Sequence, residues 1–195
     1  MPPPDETGRT FADNAVIKAQ AYTAWSGLPT VAEDSGLAID ALGGRPGVES
    51  ARYPGRDYPE RFQNLYRELA SHARPWPARF VCSLAFAVPD ETTSVRYQVE
   101  ATVEGEIASG PRGTHGFGYD PIFFYPPYGC TLGEVSDEQK LAVAHRDVHV
   151  LLLALPVLGA GRRDHGQRCE DEREGRGADR AQSRRSARRW RNPPG

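Results

Sequence analysis

Two adjacent acids, Glu33 and Asp34, close the short apolar run "LPTVA" and are followed at once by Ser35 and Gly36. A carboxylate pair in this setting has two readings. It is a surface feature or a helix cap, as acids ahead of Ser-Gly often are in loops. Alternatively it lies beyond the carboxyl end of a strand, where α/β sheets bind their ligands. There it would offer the hard oxygen donors that Mg²⁺ takes from one or two carboxylates together with substrate phosphates.

Three further stretches carry chemistry. "GGRPGVESARYPG" is rich in Gly and Pro and bears Arg45, Arg52 and Arg56. It reads as an irregular loop or as an active-site or dimer loop; with no GK[ST] and no GxGxxG after a strand, a P-loop is excluded. In "GTHGFGYDPIFFYPPYG", Phe117, Tyr119 and Phe123 alternate with small or polar residues, and a strand-like run begins at Asp120-Pro121. Those aromatics either fill a core or form a platform on which a base stacks while backbone groups read its edge. In "SDEQKLAVAHRD", Lys140, His145 and Arg146 gather near a helix. Lys140 and His145 would lie about 140° apart around an unbroken α-helix. A shared site therefore requires the helix to end or kink just before His145.

The elements that must position these residues follow from local pattern. Thr10 with Asp13 three residues on signals a helix start. Phe11, Ala15, Tyr22 and Trp25 then share roughly one face, and the helix ends near Gly27. "LPTVA" is a short strand. "YPERFQNLYRELA" is a second helix, with Pro59 in its first turn and Phe62, Leu65 and Leu69 inward. "ARFVCSLAFAV" is apolar on both faces and suits the centre of a sheet. "VRYQVEATV" sets Val95, Tyr97, Val99 and Val103 against Arg96, Gln98, Glu100 and Thr102, the alternation of an antiparallel strand with one wet face. Residues 89–94 turn between these two strands, and Ser136 with Gln139 opens a last helix. Helices among both kinds of strand predict an α/β domain with a mixed sheet.

The chain has 195 residues, 38% hydrophobic and 26% charged, with a formal net charge of −2. Such a balance favours neither DNA nor membrane as a partner. Cys82, Cys130 and Cys169 are far apart, odd in number and outside any CxxC, which argues against a disulfide framework or zinc site; Cys82 reads as a small core residue. The opening "MPPPDETGRT" has no apolar signal core, which predicts a cytoplasmic protein. The patterned domain spans residues 5–158. From Gly159 to Gly195 the chain is Arg-, Gly- and acid-rich with Trp190 its one large apolar residue, a composition that predicts disorder. This tail reads as an RNA-binding segment, or as a solvated extension or frame-shifted reading.

Taken in order, "ETGRTFADNAVIKA", "AEDSGLAIDALGGRPGVESARY", "GFGYDPIFF" and "EVSDEQKLAVAHR" resemble the Ham1-type family of non-canonical purine nucleoside triphosphate pyrophosphatases, over roughly Asp5 to Arg146. The resemblance implies an ITPase-like mixed α/β fold and cleavage between the α and β phosphates of ITP, dITP or XTP, giving the monophosphate and pyrophosphate with Mg²⁺. It implies Asp34 as the general base and a metal ligand, with Glu6 the second carboxylate on the metal and Glu33 beside them. Ser35 would donate a hydrogen bond to substrate. Phe117, Gly118, Tyr119 and Asp120 match the base-binding segment, and Lys140, His145 and Arg146 the group that selects a 6-oxo purine. A homodimer is implied as well.

Four departures accompany the resemblance. Glu33 stands where many relatives have Asp, Ala144 where Ser is common, and Asp147 where a small residue is usual. Relatives also carry a strand, a Thr-Gly-Asn…Lys phosphate turn, a helix and a second strand ahead of "ETG". The chain is therefore expected to be an N-terminally truncated version of the fold, lacking a unit of about 30 residues. The alternative functional expectation is a catalytically dead remnant that binds nucleotide or a partner subunit without turnover.

Overall fold

The computed structural model describes residues 2–143. His145, Arg146, the kink required before them, Ala144, Asp147 and the tail 159–195 lie outside the described residues.

Helix α1 runs from Phe11 to Ser26 and begins with the capping box that Thr10 and Asp13 announce. The Thr10 hydroxyl accepts the Asp13 N–H, and the Asp13 carboxylate accepts the Thr10 N–H, both at 3.1 Å. Its buried face is Phe11, Asn14, Ala15, Ala19 and Thr23, not the expected stripe through Tyr22 and Trp25, and Trp25 is 65% exposed. The small residues decide the rotation. Ala15 and Ala19 pack on Ala85 and Ala87 of the sheet, and only a face this narrow lets the helix approach closely.

Strands β1 (Thr30–Ile39), β2 (Pro77–Ala87), β3 (Val95–Ile107), β4 (Phe123–Tyr125) and β5 (Cys130–Thr131) form one sheet in that order. The α/β class is as expected; in place of the expected mixed sheet, every strand pairing among the described residues is antiparallel. β2 lies between two full-length partners, as its two apolar faces suggest. The hairpin between β2 and β3 closes on Asp90, whose carboxylate accepts the N–H groups of Thr92 and Ser94.

Successive residues of β1 face opposite sides of the sheet. Ala32 packs with α1. Leu37 and Ile39 instead join the main core with Phe62, Leu65 and Leu69 of helix α2 (Tyr58–Leu69), Ile122 and Phe123. The inward face of α2 is the one its sequence predicts. Between β1 and α2, residues Gly47–Arg52 form a short 3₁₀ segment rather than an open loop. The Ser50 hydroxyl pins it to β1, accepting the Leu37 N–H at 2.9 Å. Helix α3 covers residues 137–143 of the described chain and opens on the expected Ser136–Gln139 box.

Candidate active site

The acid pair is not at a strand end. β1 stays in register with β2 from Thr30↔Ala87 to Ile39↔Ala78, so Glu33 and Asp34 lie within the ladder, opposite Leu84 and Ser83. Strand alternation then separates them. Asp34 faces α1, where Asn14 Nδ2 donates to its Oδ2 at 3.1 Å and Lys18 Nζ donates to its Oδ1 at 2.7 Å. Glu33 faces the other way, with the half-buried Cys82 thiol 3.5 Å from its Oε2. Ser35 shares the Glu33 face and is exposed. The expected trio of Glu6, Glu33 and Asp34 is thus not assembled: Glu33 and Ser35 are on the wrong side of the strand. Nor is Cys82 a core residue.

Glu6 does reach Asp34's neighbourhood. Lys18 Nζ bridges the two carboxylates, 3.1 Å from Glu6 Oε1 and 2.7 Å from Asp34 Oδ1. Glu6 Oε2 takes Arg52 Nη1 at 3.2 Å from the end of the 3₁₀ segment, and Arg52 also pairs with Glu49. Close approach is required here: a Cβ at Gly36 would stand 2.9 Å from both the Gly47 carbonyl oxygen and the Phe11 ring. Burial alone would lower the Lys18 pKa, but its bonds to Asp34 and Glu6 outweigh that and raise it. The Lys18 hydrogen bond, opposed by burial and assisted by Arg52, holds Glu6 below its ordinary 4.5.

A depressed carboxylate adds stability that is complete above its unfolded pKa and is lost as pH falls through the lower folded one. Lys18→Met removes the larger part of that gain, leaving Glu6 only its Arg52 pairing, and takes away the cation that Glu6 and Asp34 share. The denaturant midpoint at neutral pH should fall, and its decline at acid pH should become shallower. A pH series of denaturant melts measures this; parallel acid limbs for parent and variant would dismiss the Lys18–Glu6 bond as their cause.

Two carboxylates converging on one cation, with open surroundings toward Arg52, suit a hard divalent ion that completes its shell from phosphate oxygens. Among the described residues no group of three or more His, Cys, Asp or Glu is placed to hold a metal alone. Such a donor set could supply part of a Mg²⁺ shell left open to outside oxygens, and does not fit a closed all-protein cage.

The second cluster lies around the 116–120 turn. Gly118 is in the left-handed region and Asp120–Ile122 is 3₁₀, so the expected strand is confined to Phe123–Tyr125. The aromatic alternation therefore splits. Phe117 is 80% exposed, whereas Tyr119 is buried, edge-on to Tyr58 at 5.5 Å between centroids. Burial pushes the Tyr119 phenol up to about 12, so it remains a neutral donor to the Ser50 carbonyl at 2.8 Å. Buried Asp120 accepts the Phe117 N–H at 2.7 Å and pairs with Lys140. The Lys140 ammonium lies 3.8 Å over the Phe117 ring. Phe117, Asp120 and Lys140 are thereby brought together, and a groove of about 570 Å³ opens beside Phe117 between α2 and residues 111–121.

The two clusters meet at the 3₁₀ segment: Arg52 reaches Glu6, and Ser50 receives Tyr119. Sequence reasoning missed three participants, namely Asn14, Lys18 and the pairing of Arg52 with Glu6. The i, i+4 spacing of Asn14 and Lys18 on α1 was the available signal.

The sequence pattern of the Ham1 family matches residues 1–153. The chain belongs to the Ham1 family. It is 50% identical over 144 residues to the dITP/XTP pyrophosphatase of Geobacillus kaustophilus, covering 72% of this chain and 69% of that protein. It is 44% identical over 145 residues to the dITP/XTP pyrophosphatase of Bacillus subtilis, covering 73% and 72%. Among solved structures, a HAM1 protein from Coxiella burnetii superposes with a TM-score of 0.73 at 39% identity, covering 82% of each chain. A Mycobacterium abscessus structure described as a nucleoside-triphosphatase, dITP/XTP pyrophosphatase, gives 0.67 at 42% identity over 79% and 78%. The Ham1 sheet and its flanking helices are thus shared with proteins of known structure.

Proposed function

We propose that this Ham1 chain hydrolyses non-canonical purine nucleoside triphosphates of the dITP, ITP and XTP class to the monophosphate and pyrophosphate. The observation that carries the reading is the convergence of Asp34 and Glu6 on Lys18, with Asn14 holding the second Asp34 oxygen. Asp34 is the base: it takes a proton from water as the water oxygen bonds to phosphorus at the α–β bridge and the bond to the leaving pyrophosphate breaks. Lys18 and Arg52 are the cations beside the phosphates, and Lys18 exchanges carboxylate for phosphate oxygen. Glu6 and Asp34 would hold Mg²⁺, which when bound supplies charge neutralisation for the departing pyrophosphate.

At the other end, the exposed Phe117 ring stacks on the purine, and Lys140 swings off that ring to donate to O6. Adenine presents an amino group there, and leaving donors unpaired in a closed site costs about 1–3 kcal/mol. Names of relatives that specify dITP and XTP support this selectivity. The paired carboxylates and nearby cations favour turnover over a binding-only remnant. A homodimer working in the cytoplasm belongs to the same reading.

The test is pyrophosphate release from ITP, XTP, GTP and ATP, with Mg²⁺ and with EDTA. Mg²⁺-dependent turnover of ITP and XTP well above ATP is expected, and equal rates on all four would overturn the assignment. In the same assay Lys140→Ala should reduce kcat/KM for ITP and XTP about tenfold or more while ATP changes little. Unchanged selectivity would remove Lys140 from the base site.

A further inference from the structure

Asn14 is fully buried, an uncommon place for an amide on a helix whose other inward residues are small or apolar. Both ends of that amide are engaged. Its Nδ2 donates to Asp34 Oδ2 at 3.1 Å, and its Oδ1 accepts the Gly8 N–H at 2.8 Å. Only one orientation satisfies both, since a flipped amide would set donor against donor at Gly8 and acceptor against carboxylate at Asp34. The fit is close: a Cβ on Gly8 would stand 2.6 Å from Asn14 Oδ1.

From this geometry we propose that Asn14 is the positioning residue of Asp34, and that the same side chain ties the Glu6 segment to it. The proposal rests on Asp34 being the base. The two carboxylate oxygens have partners of different kind. Lys18 on Oδ1 is half of a bridge that substrate can exchange. Asn14 on Oδ2 is neutral and inside the fold, so it fixes the plane of the carboxylate without competing for a cation. Gly8 lies two residues after Glu6, so the opposite end of the amide sets how far the second carboxylate stands from the first. Asp at position 14 would keep the acceptor for Gly8 but turn the donor that faces Asp34 into a like charge.

The experiment uses the full chain in four forms: parent, Asn14→Asp, Asp34→Asn and the exchanged pair N14D/D34N. Each is assayed for pyrophosphate release from ITP and melted in denaturant. Asn14→Asp should lower kcat by about tenfold or more with KM within about twofold, and should lower the denaturant midpoint. The exchanged pair rebuilds the amide–carboxylate bond with its charge on the helix. It should recover the midpoint toward the parent but not the activity, because the carboxylate now sits at 14. Equal kcat for parent and Asn14→Asp, or additive midpoints across the cycle, would overturn the proposal.

If Asn14→Asp does not fold, Asn14→Ser, which keeps a neutral hydroxyl but withdraws it, should show the same kcat loss with KM retained. A parent that turns over no substrate refutes the functional reading alone; the midpoint cycle then still decides whether Asn14 and Asp34 are coupled.

Discussion

Asp34→Asn is expected to reduce pyrophosphate release from ITP by about 10²- to 10⁴-fold, the range of a positioned general base, while the protein still unfolds in one cooperative transition. The proposed base is lost because an amide oxygen cannot take a proton from water at neutral pH. The fold is spared because Asp34 lies mid-ladder with its backbone paired opposite Ser83, and the replacement has the same shape. Lys18 would then turn to Glu6 alone, so ground-state binding of phosphate should change less than kcat. Steady-state kinetics beside a denaturant melt separate the two effects. Activity within a fewfold of the parent would remove Asp34 from the reaction.

Gly113→Ala should be the most damaging single methyl in the described chain. Gly113 has φ +79°, a region costly for a residue with a side chain. A Cβ there would run into the Gly133 carbonyl, backbone that has no rotamer through which to escape. The contact is sewn on both sides, with His115 N–H donating to Gly133 O at 2.9 Å and the Thr131 hydroxyl donating to Arg112 O at 2.9 Å. Strain and overpacking together should cost about 2–4 kcal/mol, read as a lower denaturant midpoint. Because this loop leads directly to Phe117, KM for ITP should rise as well. Parent-like stability would show that the 112–115 backbone can slide past Gly133.

How much of this was visible in the sequence depended on whether the signal was local. The Thr10 and Ser136 caps and the inward face of α2 depend on residues within a turn or two, and the structure has all three where local pattern puts them. The rotation of α1 differs, since aromatic size suggested Tyr22 and Trp25 while contact with Ala85 and Ala87 across the sheet selected the alanines. The fate of Glu33 was decided by register. Because β1 continues to Ile39, period-two alternation puts Glu33 and Asp34 on opposite faces, but the length of β1 is set by β2, far along the chain. The sequence marks the "FGYD" aromatics but does not divide them, because only the glycine-permitted turn at 116–118 sends Phe117 outward while Tyr119 goes in.

Ser50 and Arg52 belong to one short 3₁₀ segment, one touching the proposed base end through Tyr119 and the other the proposed phosphate end through Glu6. The interval between the two ends is therefore ruled off by two residues of regular backbone, rather than left to a slack loop. In the proposed enzyme that interval works as a gauge. A purine seated out of line on Phe117 carries its α–β bridge out of reach of Asp34, and misalignment of this kind is felt in the rate of the bond-breaking step more than in the grip on the nucleotide.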